Sequence, residues 1–269
     1  MPSDPYAHLA GRYLDHAGTL RGRIRHALVD RQLRHHLNDP PAVVLDAGAG
    51  DGRQSIPLAR DGYEVVLLDP SATMLGEARG RLSEEDEGVS QRVRLVQGTG
   101  ESAADIPGSA FDAVLCHGVL MYLPDPEALL RTLSSLVRAG GFVSLLVKNR
   151  RAMAMRPGLT GDYEVALRCF DAHTSQGGLG VTTRGDTVED LMAILSPRGF
   201  ELAAWYGIRV FTDHLGEAPA ESAFPGALAA EWAASQRDPY RGVARLLHLV
   251  ARRTESNLEE APRAQSRTP

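Results

Sequence analysis

The sequence is poor in lysine and cysteine. Its 269 residues include a single lysine, Lys148, and two cysteines, Cys116 and Cys169. Neither cysteine lies in a metal-ligand spacing, so we expect reduced thiols, no disulfide framework and no metal centre. Cys116 lies in a strand-like run and is expected in the core. Nearly all positive charge is therefore arginine, which suits bidentate contacts with carboxylate or phosphate, although genome composition alone would also explain the bias.

Long apolar runs and a basic charge balance are also absent. The start, Met1-Pro2-Ser3-Asp4, lacks the basic-then-apolar order of a signal peptide, so we expect a cytoplasmic protein that does not enter a membrane. The net charge of −5 argues against a wholly basic surface for non-specific nucleic-acid binding, without excluding a local basic face. With 43% hydrophobic residues the chain can bury a full core. It can be a monomer or a homodimer.

Short apolar segments alternate with helical patterns along the chain, which predicts an α/β, doubly wound, Rossmann-like fold with a parallel sheet covered on both faces. Two helices are expected between Leu9 and Leu37, and the later predicted helices span Gln54–Arg60, Ser71–Leu82, Pro126–Val137, Thr187–Leu195 and Ala227–Arg237. The seven predicted strands span Ala42–Ala47, Tyr63–Leu68, Val93–Gln97, Phe111–Cys116, Gly141–Val147, Glu201–Val210 and Leu246–Arg252.

Three segments lie outside this alternation. Residues 1–38 are expected to form an N-terminal helical lid ahead of the main domain, 39–254. Within that domain, residues from about 150 to 185 mix Met, Arg, Gly and Thr without a clear period and are interpreted as an insertion over the ligand mouth. The polar segment 255–269 is expected to be a disordered tail.

The most informative motif follows the first strand and reads Val43-Val44-Leu45-Asp46-Ala47-Gly48-Ala49-Gly50-Asp51-Gly52. Glycines at alternate positions let the backbone turn sharply and lie flat against a ligand. Dinucleotide enzymes use a different spacing, Gly-x-Gly-x-x-Gly, to hold a pyrophosphate. The flanking acids Asp46 and Asp51 would repel a pyrophosphate but suit ammonium and sulfonium charges, which points to S-adenosylmethionine. Alternatively, Asp51 caps the following helix.

Three further positions complete the predicted cofactor cradle at the carboxyl ends of strands, where open α/β sheets bind ligands. Asp69 ends the second strand about 20 residues after the glycine loop, where a carboxylate accepts both ribose hydroxyls. Gly100 and Glu101 follow the third strand and are candidates to hold adenine. His117 follows the fourth strand, beneath the reacting methyl group, unless it is simply a loop histidine with satisfied hydrogen bonds.

Phrases near both ends of the chain resemble a narrower family. They are Gly22-Arg23-Ile24-Arg25, Leu45-Asp46-Ala47-Gly48, Leu115-Cys116-His117-Gly118-Val119-Leu120, Gly207-Ile208-Arg209-Val210-Phe211 with Asp213, and Asp238-Pro239-Tyr240. Over nearly its full length the chain is similar to the bacterial tRNA 5-carboxymethoxyuridine methyltransferases, a class I S-adenosylmethionine-dependent family. In this class the last two strands form an antiparallel pair at the sheet edge.

The resemblance implies a set of cofactor contacts, in which Arg25 would reach the methionyl carboxylate of the cofactor. The implied set is Arg25, Gly48, Ala49, Asp69, Gly100, Glu101 and His117, to which the glycine motif adds Asp46 and Gly50. The chain departs from the family in the insertion, where a basic stretch is replaced by Ala172-His173-Thr174-Ser175-Gln176-Gly177-Gly178-Leu179-Gly180.

The resemblance implies a carboxylate on a modified uridine as methyl acceptor. Such a group is ionised at neutral pH and needs no general base. Arg209 and Arg184 are the candidates to position it, although Arg209 could instead pair with Asp213. A track for tRNA phosphates would come from Arg21, Arg23, Arg31, Arg34, Lys148, Arg150, Arg151 and Arg156, unless these charges only form a solvated face. Met153, Met155 and Tyr163 would contact a flipped base or, equally, belong to the core.

Two alternatives remain open at this stage. The first is a methyltransferase acting on an oxygen, nitrogen or carboxylate of a small metabolite, which would show a closed apolar pocket and no continuous basic face. The second is a regulator that binds S-adenosylmethionine without turning it over. The glycine loop and its acids do not separate these possibilities, because cofactor binding alone would require them.

Overall fold

A seven-stranded sheet with helices on both faces forms the body of the protein. The structure is a computed structural model that describes residues 7–106, 110–177, 180–216 and 223–255. The strands are β1 (Val43–Ala47), β2 (Glu64–Asp69), β3 (Val93–Gln97), β4 (Phe111–His117), β5 (Val137–Lys148), β6 (Thr174–Gln176), β7 (Thr182–Arg184), β8 (Phe200–Ile208) and β9 (Leu246–Arg253). The α-helices are α1 (Ala7–Gly18), α2 (Leu20–Arg34), α3 (Ile56–Arg60), α4 (Ala72–Leu82), α5 (Glu87–Ser90), α6 (Glu127–Ser135), α7 (Met155–Leu159), α8 (Tyr163–Cys169), α9 (Val188–Leu195) and α10 (Phe224–Ser235).

The strand order is β3-β2-β1-β4-β5-β9-β8. β1 to β5 pair in parallel, and β9 pairs antiparallel with both β5 and β8. The doubly wound fold and the antiparallel pair at the edge are therefore confirmed. The chain continues from β1 toward one edge of the sheet and from β4 toward the other, which opens a crevice at the carboxyl ends of these two strands.

Two apolar layers cover the sheet, because successive residues of a strand point to opposite faces. Leu45 of β1 packs in the layer that contains α6 and α9. Its neighbour Val44 packs in the other layer, which contains α2 and α3. The inner parallel strands β1, β2 and β4 are largely buried and are almost continuous apolar runs, as predicted for a sheet covered on both faces. Cys116 is fully buried and its thiol is free, in agreement with its predicted core position.

Several element boundaries differ from the prediction. β5 begins at Val137 and not at Gly141, because the Phe111–Val137 pairing extends the ladder across a bulge. β8 ends at Ile208, before the predicted Val210, because Arg209 takes a left-handed backbone conformation with φ 65° that no strand accommodates. The insertion contains α7, α8 and the antiparallel ribbon β6–β7, where the sequence shows no period. Of the predicted tail, 255–269, only Glu255 lies within the described residues.

Candidate functional site

A cavity of about 460 Å³ lies at the carboxyl ends of the parallel strands. α1 and α2 cover it from one side, since Tyr13, His16, Arg21 and Arg25 line it. Residues of the insertion, among them Arg156, line the other side. The cavity brings together most of the predicted site residues, which are Arg25, Gly48, Gly50, Asp69, Gly100, Glu101, His117 and Arg209.

The glycine loop and Asp69 form one wall. Gly50 N–H donates to Asp69 Oδ2 at 2.8 Å, and Ser71 N–H donates to Asp69 Oδ1 at 2.8 Å. Both carboxylate oxygens are thereby fixed by backbone donors. Gly48 has φ 80°, and a Cβ there would collide with Val119 Cγ2, so the loop needs glycine at this position.

The acids that flank the loop lie behind it and not in the cavity lining. Asp46 is buried and accepts a hydrogen bond from Ser55 Oγ, and burial raises its pKa to about 6. Asp51 is fully buried and pairs with Arg53 at 2.9 Å and Arg81 at 2.8 Å. Ser55, not Asp51, is the N-cap residue of α3. These acids anchor the loop through neighbouring side chains rather than facing the cavity.

The other residues predicted to bind the cofactor lie at different places relative to the cavity. Ala49 lies outside the lining, where its N–H donates to the Leu68 carbonyl at 3.1 Å. Glu101 is exposed at the rim, and a hydrogen bond with Thr99 lowers its pKa, so it is ionised at neutral pH. Arg25 donates to the His117 carbonyl at 3.4 Å and shares a hydrogen bond with Tyr13 of α1. This part of the cavity thus contains two carboxylates, Asp69 and Glu101, and one guanidinium, Arg25.

His117 begins a buried hydrogen-bonded chain that crosses the sheet. Its Nε2 lies 2.8 Å from Ser144 Oγ, which lies 2.7 Å from His248 Nε2, and His248 Nδ1 lies 2.7 Å from Gln32 Oε1. Burial lowers the pKa of His248 to about 3, and burial, with His248 nearby, holds the pKa of His117 well below its usual value. Both imidazoles are neutral at pH 7, so His117 places no positive charge beside a sulfonium.

The opposite end of the cavity is basic. Arg209 and Arg245 approach the same carboxylate, Asp213, at 3.2 and 3.8 Å. Burial would raise the pKa of Asp213, but Arg209, Arg245, Arg156 and, more weakly, Arg21 act against it and leave the pKa lowered. The ion pair proposed from the sequence as an alternative role for Arg209 thus exists, and it places the guanidinium in the cavity wall.

A buried carboxylate shapes the turn that carries Arg209. Glu231 of α10 is fully buried and accepts hydrogen bonds from the N–H groups of Val210, Phe211 and Thr212 at 2.8, 3.0 and 2.9 Å. The Thr212 hydroxyl donates to the same carboxylate at 2.6 Å. Together these bonds stabilise the left-handed conformation of Arg209, which would otherwise cost about 1–2 kcal/mol.

Arg184 is placed elsewhere. Its guanidinium donates to Asp186 and to the Pro124 carbonyl at 3.3 Å, and it is not among the residues that line the cavity. The structure therefore brings only one of the two candidate arginines to the cavity. Arg245, His16, Tyr13 and Glu231 were not singled out from the sequence. Glu231 had one available signal, because it is the only acidic residue of α10.

The residues of the predicted phosphate track have different surroundings. Three of the eight line the cavity, namely Arg21, Lys148 and Arg156. The others are exposed or partly exposed and are ion-paired with carboxylates or stacked on aromatic rings: Arg34, Arg150 and Arg151; Arg23 and Arg31. Met153 is buried in the core, the alternative position considered for it, whereas Met155 and Tyr163 are exposed. The described residues thus place part of this basic charge inside the cavity and part of it on the surface.

Within the described ranges, no helix is long and apolar enough to cross a membrane. The same residues contain no group of three or more His, Cys, Asp or Glu side chains that could hold a metal ion.

Comparison with known proteins places this geometry in a family. Residues 45–143 match the family described as a methyltransferase domain. The chain is 28% identical to tRNA 5-carboxymethoxyuridine methyltransferase of Escherichia coli, over 89% of this chain and 92% of that one. It is 35% identical to ubiquinone biosynthesis O-methyltransferase of Xanthomonas campestris pv. campestris, over 61% of this chain and 67% of that one.

A solved structure shares the fold. Magnesium protoporphyrin IX methyltransferase from Synechocystis PCC 6803, with bound S-adenosylmethionine, superposes with a TM-score of 0.55 and 21% identity, over 87% of this chain and 81% of that one. The loop at Gly48, where a side chain would collide with Val119, and the carboxylate of Asp69, which two backbone donors fix, fit the same cofactor here. The chain belongs to the class I S-adenosylmethionine-dependent methyltransferases.

Proposed function

We propose that this methyltransferase esterifies an ionised carboxylate, that of 5-carboxymethoxyuridine in tRNA. The observation that carries the proposal is the polarity of the cavity. Asp69 and Glu101 line the cavity next to β2 and β3, on one side of the sheet, and Arg209 and Arg245 line it next to β8 and β9, on the other side. A cationic cofactor suits the first end and an anionic acceptor suits the second. The relative from Escherichia coli, which matches over most of both chains, supports the same acceptor.

We assign Arg25, Gly48, Gly50, Asp69, Gly100, Glu101 and His117 to cofactor binding. Asp46 and Ala49 support the glycine loop from behind. Bound S-adenosylmethionine supplies an electrophilic methyl group. Asp69 would accept its ribose hydroxyls, and Arg25 would pair with its methionyl carboxylate.

Arg209 would hold one oxygen of the acceptor carboxylate so that the other faces the methyl carbon. The carboxylate oxygen forms the new C–O bond while the S–C bond breaks and its electron pair stays on sulfur. No proton moves in this step. The neutral histidines of the site fit this scheme, because an ionised carboxylate requires no general base.

The first test is transfer of labelled methyl from S-adenosylmethionine to tRNA that carries 5-carboxymethoxyuridine, with unmodified tRNA and a metabolite extract as parallel acceptors. We expect label on the modified tRNA alone. Label only in the extract would instead favour a small-molecule methyltransferase, which the 35% identical relative supports. Label nowhere, despite cofactor binding, would contradict both.

The second test separates the two candidate arginines. Arg209→Ala should raise the KM for the acceptor about 10- to 100-fold, because it removes a charge-assisted hydrogen bond. Affinity for S-adenosylhomocysteine, measured by calorimetry, should stay within about twofold of the wild-type value. Arg184→Ala serves as the matched control, since that side chain bonds Asp186 outside the cavity. Loss of cofactor affinity in Arg209→Ala would refute the assignment.

A further inference from the structure

The basic end of the cavity carries more positive charge than one carboxylate would balance. Three arginines, Arg156, Arg209 and Arg245, line this end of the cavity together with Lys148. Among the described residues, the carboxylate placed between these arginines is Asp213, which is buried and lies near both Arg209 and Arg245. A single acceptor carboxylate would therefore leave a positive excess at this end of the cavity, where like charges repel.

Burial and, after it, repulsion between neighbouring cations lower the pKa values of two of these groups. Burial, and after it the charge of Arg245, lowers the pKa of Lys148 to about 7. Burial lowers the pKa of Arg209 to about 10, and Arg245 and Arg21 act in the same direction. Buried cations with lowered pKa values are typical of functional sites, where a bound ligand can supply the opposite charge.

The hydrogen bonds show which of these groups remains available to a ligand. The Lys148 side chain donates to Ser175 and Thr183 oxygens, at 2.6 and 2.8 Å to their hydroxyls, so its N–H groups are used, and it forms no ion pair with a described carboxylate. The Arg156 side chain makes no hydrogen bond or ion pair with any described residue, although it lines the cavity. Arg245 lies 3.8 Å from Asp213, too far for a hydrogen bond.

We propose that Arg156 and Arg245, with the charge of Lys148 behind them, form a subsite for a phosphate group carried by the acceptor next to its carboxylate. The inference rests on the proposed function, in which the acceptor is a nucleotide within RNA and is flanked by phosphodiesters. A guanidinium binds phosphate through two parallel N–H donors, and Arg156 has such donors free. The enzyme then distinguishes a nucleotide from the bare nucleoside inside the cavity and does not depend on a basic outer surface.

The test compares two acceptors that differ only in phosphate, 5-carboxymethoxyuridine and its 3′,5′-bisphosphate. For the wild-type enzyme, we expect kcat/KM for the bisphosphate to exceed that for the nucleoside at least about tenfold, as expected for one charge-assisted contact. Arg156→Ala should reduce this ratio most of the way to one. Arg168→Ala is the matched control, because Arg168 is exposed on α8 and does not line the cavity. Equal kcat/KM values for both acceptors in the wild-type enzyme would overturn the proposal.

A binding experiment separates this proposal from the proposed function. Uridine 3′,5′-bisphosphate and uridine are titrated calorimetrically into the enzyme saturated with S-adenosylhomocysteine. Tighter binding of the bisphosphate, lost in Arg156→Ala and kept in Arg168→Ala, supports the subsite even if no 5-carboxymethoxyuridine acceptor is methylated. Equal affinity for the two ligands in the wild-type enzyme would overturn it, whatever the methylation assay shows.

Discussion

The carboxylate of Glu231 organises the turn that presents Arg209, so its replacement by the isosteric amide is a sharp test of the site. Four donors converge on it: three consecutive backbone N–H groups, from Val210 to Thr212, and the Thr212 hydroxyl. Oε2 accepts a hydrogen bond from the Val210 N–H, and Oε1 accepts hydrogen bonds from the other three donors. In Glu231→Gln one oxygen becomes an NH₂ group, which cannot accept any of these bonds.

The size of the effect follows from this pattern. The less damaging amide orientation places NH₂ against the Val210 N–H and leaves that buried donor unsatisfied, at about 1–3 kcal/mol. The three remaining bonds change from charged to neutral acceptors, which weakens each by about 1 kcal/mol. We therefore expect a loss of roughly 4–6 kcal/mol, a large part of the 5–15 kcal/mol by which typical domains are stable.

Urea unfolding followed by circular dichroism would measure the change in the free energy of unfolding. Thr212→Val is the control, since it removes only the hydroxyl donor and should cost about 1 kcal/mol. Where Glu231→Gln remains folded, the KM for the acceptor should rise because Arg209 loses its fixed backbone, while cofactor affinity changes little. A loss of stability below about 1 kcal/mol in Glu231→Gln would refute this account of the turn.

Two further predictions concern Lys148 and the glycine loop. Burial lowers the pKa of folded Lys148 to about 7, whereas an unfolded lysine has a pKa of about 10.4, so the unfolded chain binds more protons between these values. The wild-type protein should therefore gain stability relative to Lys148→Met as pH rises from about 7 to 10; a stability difference independent of pH would contradict this. Gly48→Ala should weaken S-adenosylhomocysteine binding at least about tenfold, measured by calorimetry, because its Cβ would meet Val119 at φ 80°. Gly76→Ala, with nothing within 4 Å of its Cβ on an exposed face of α4, should bind normally and be about 0.5–1 kcal/mol more stable; equal losses in both variants would argue against the steric explanation.

The cofactor side of the site could be predicted because its determinants are local in sequence. The glycine loop follows directly from β1, and Asp69 ends β2, so strand periodicity alone places them at one edge of a parallel sheet. Fold class follows for the same reason, since apolar runs and helical periods alternate along the chain. Asp46 shows the limit of this reasoning: its sequence position fits a ligand contact, but its side chain turns to Ser55 behind the loop.

By itself, then, the sequence determined the doubly wound sheet, the glycine loop and the carboxylate that ends β2. Only the tertiary structure decided the basic end of the cavity, where Arg209, Arg245 and Asp213 meet from separate segments and Glu231 holds the turn from a distant helix. In the sequence, Arg184 and Arg209 are equally good candidates. In the structure, Arg184 pairs with Asp186 outside the cavity lining, whereas Arg209 pairs with Asp213 in the cavity wall. Periodicity records which face of an element is buried, but the partner that a buried charge finds depends on contacts between residues far apart in the chain.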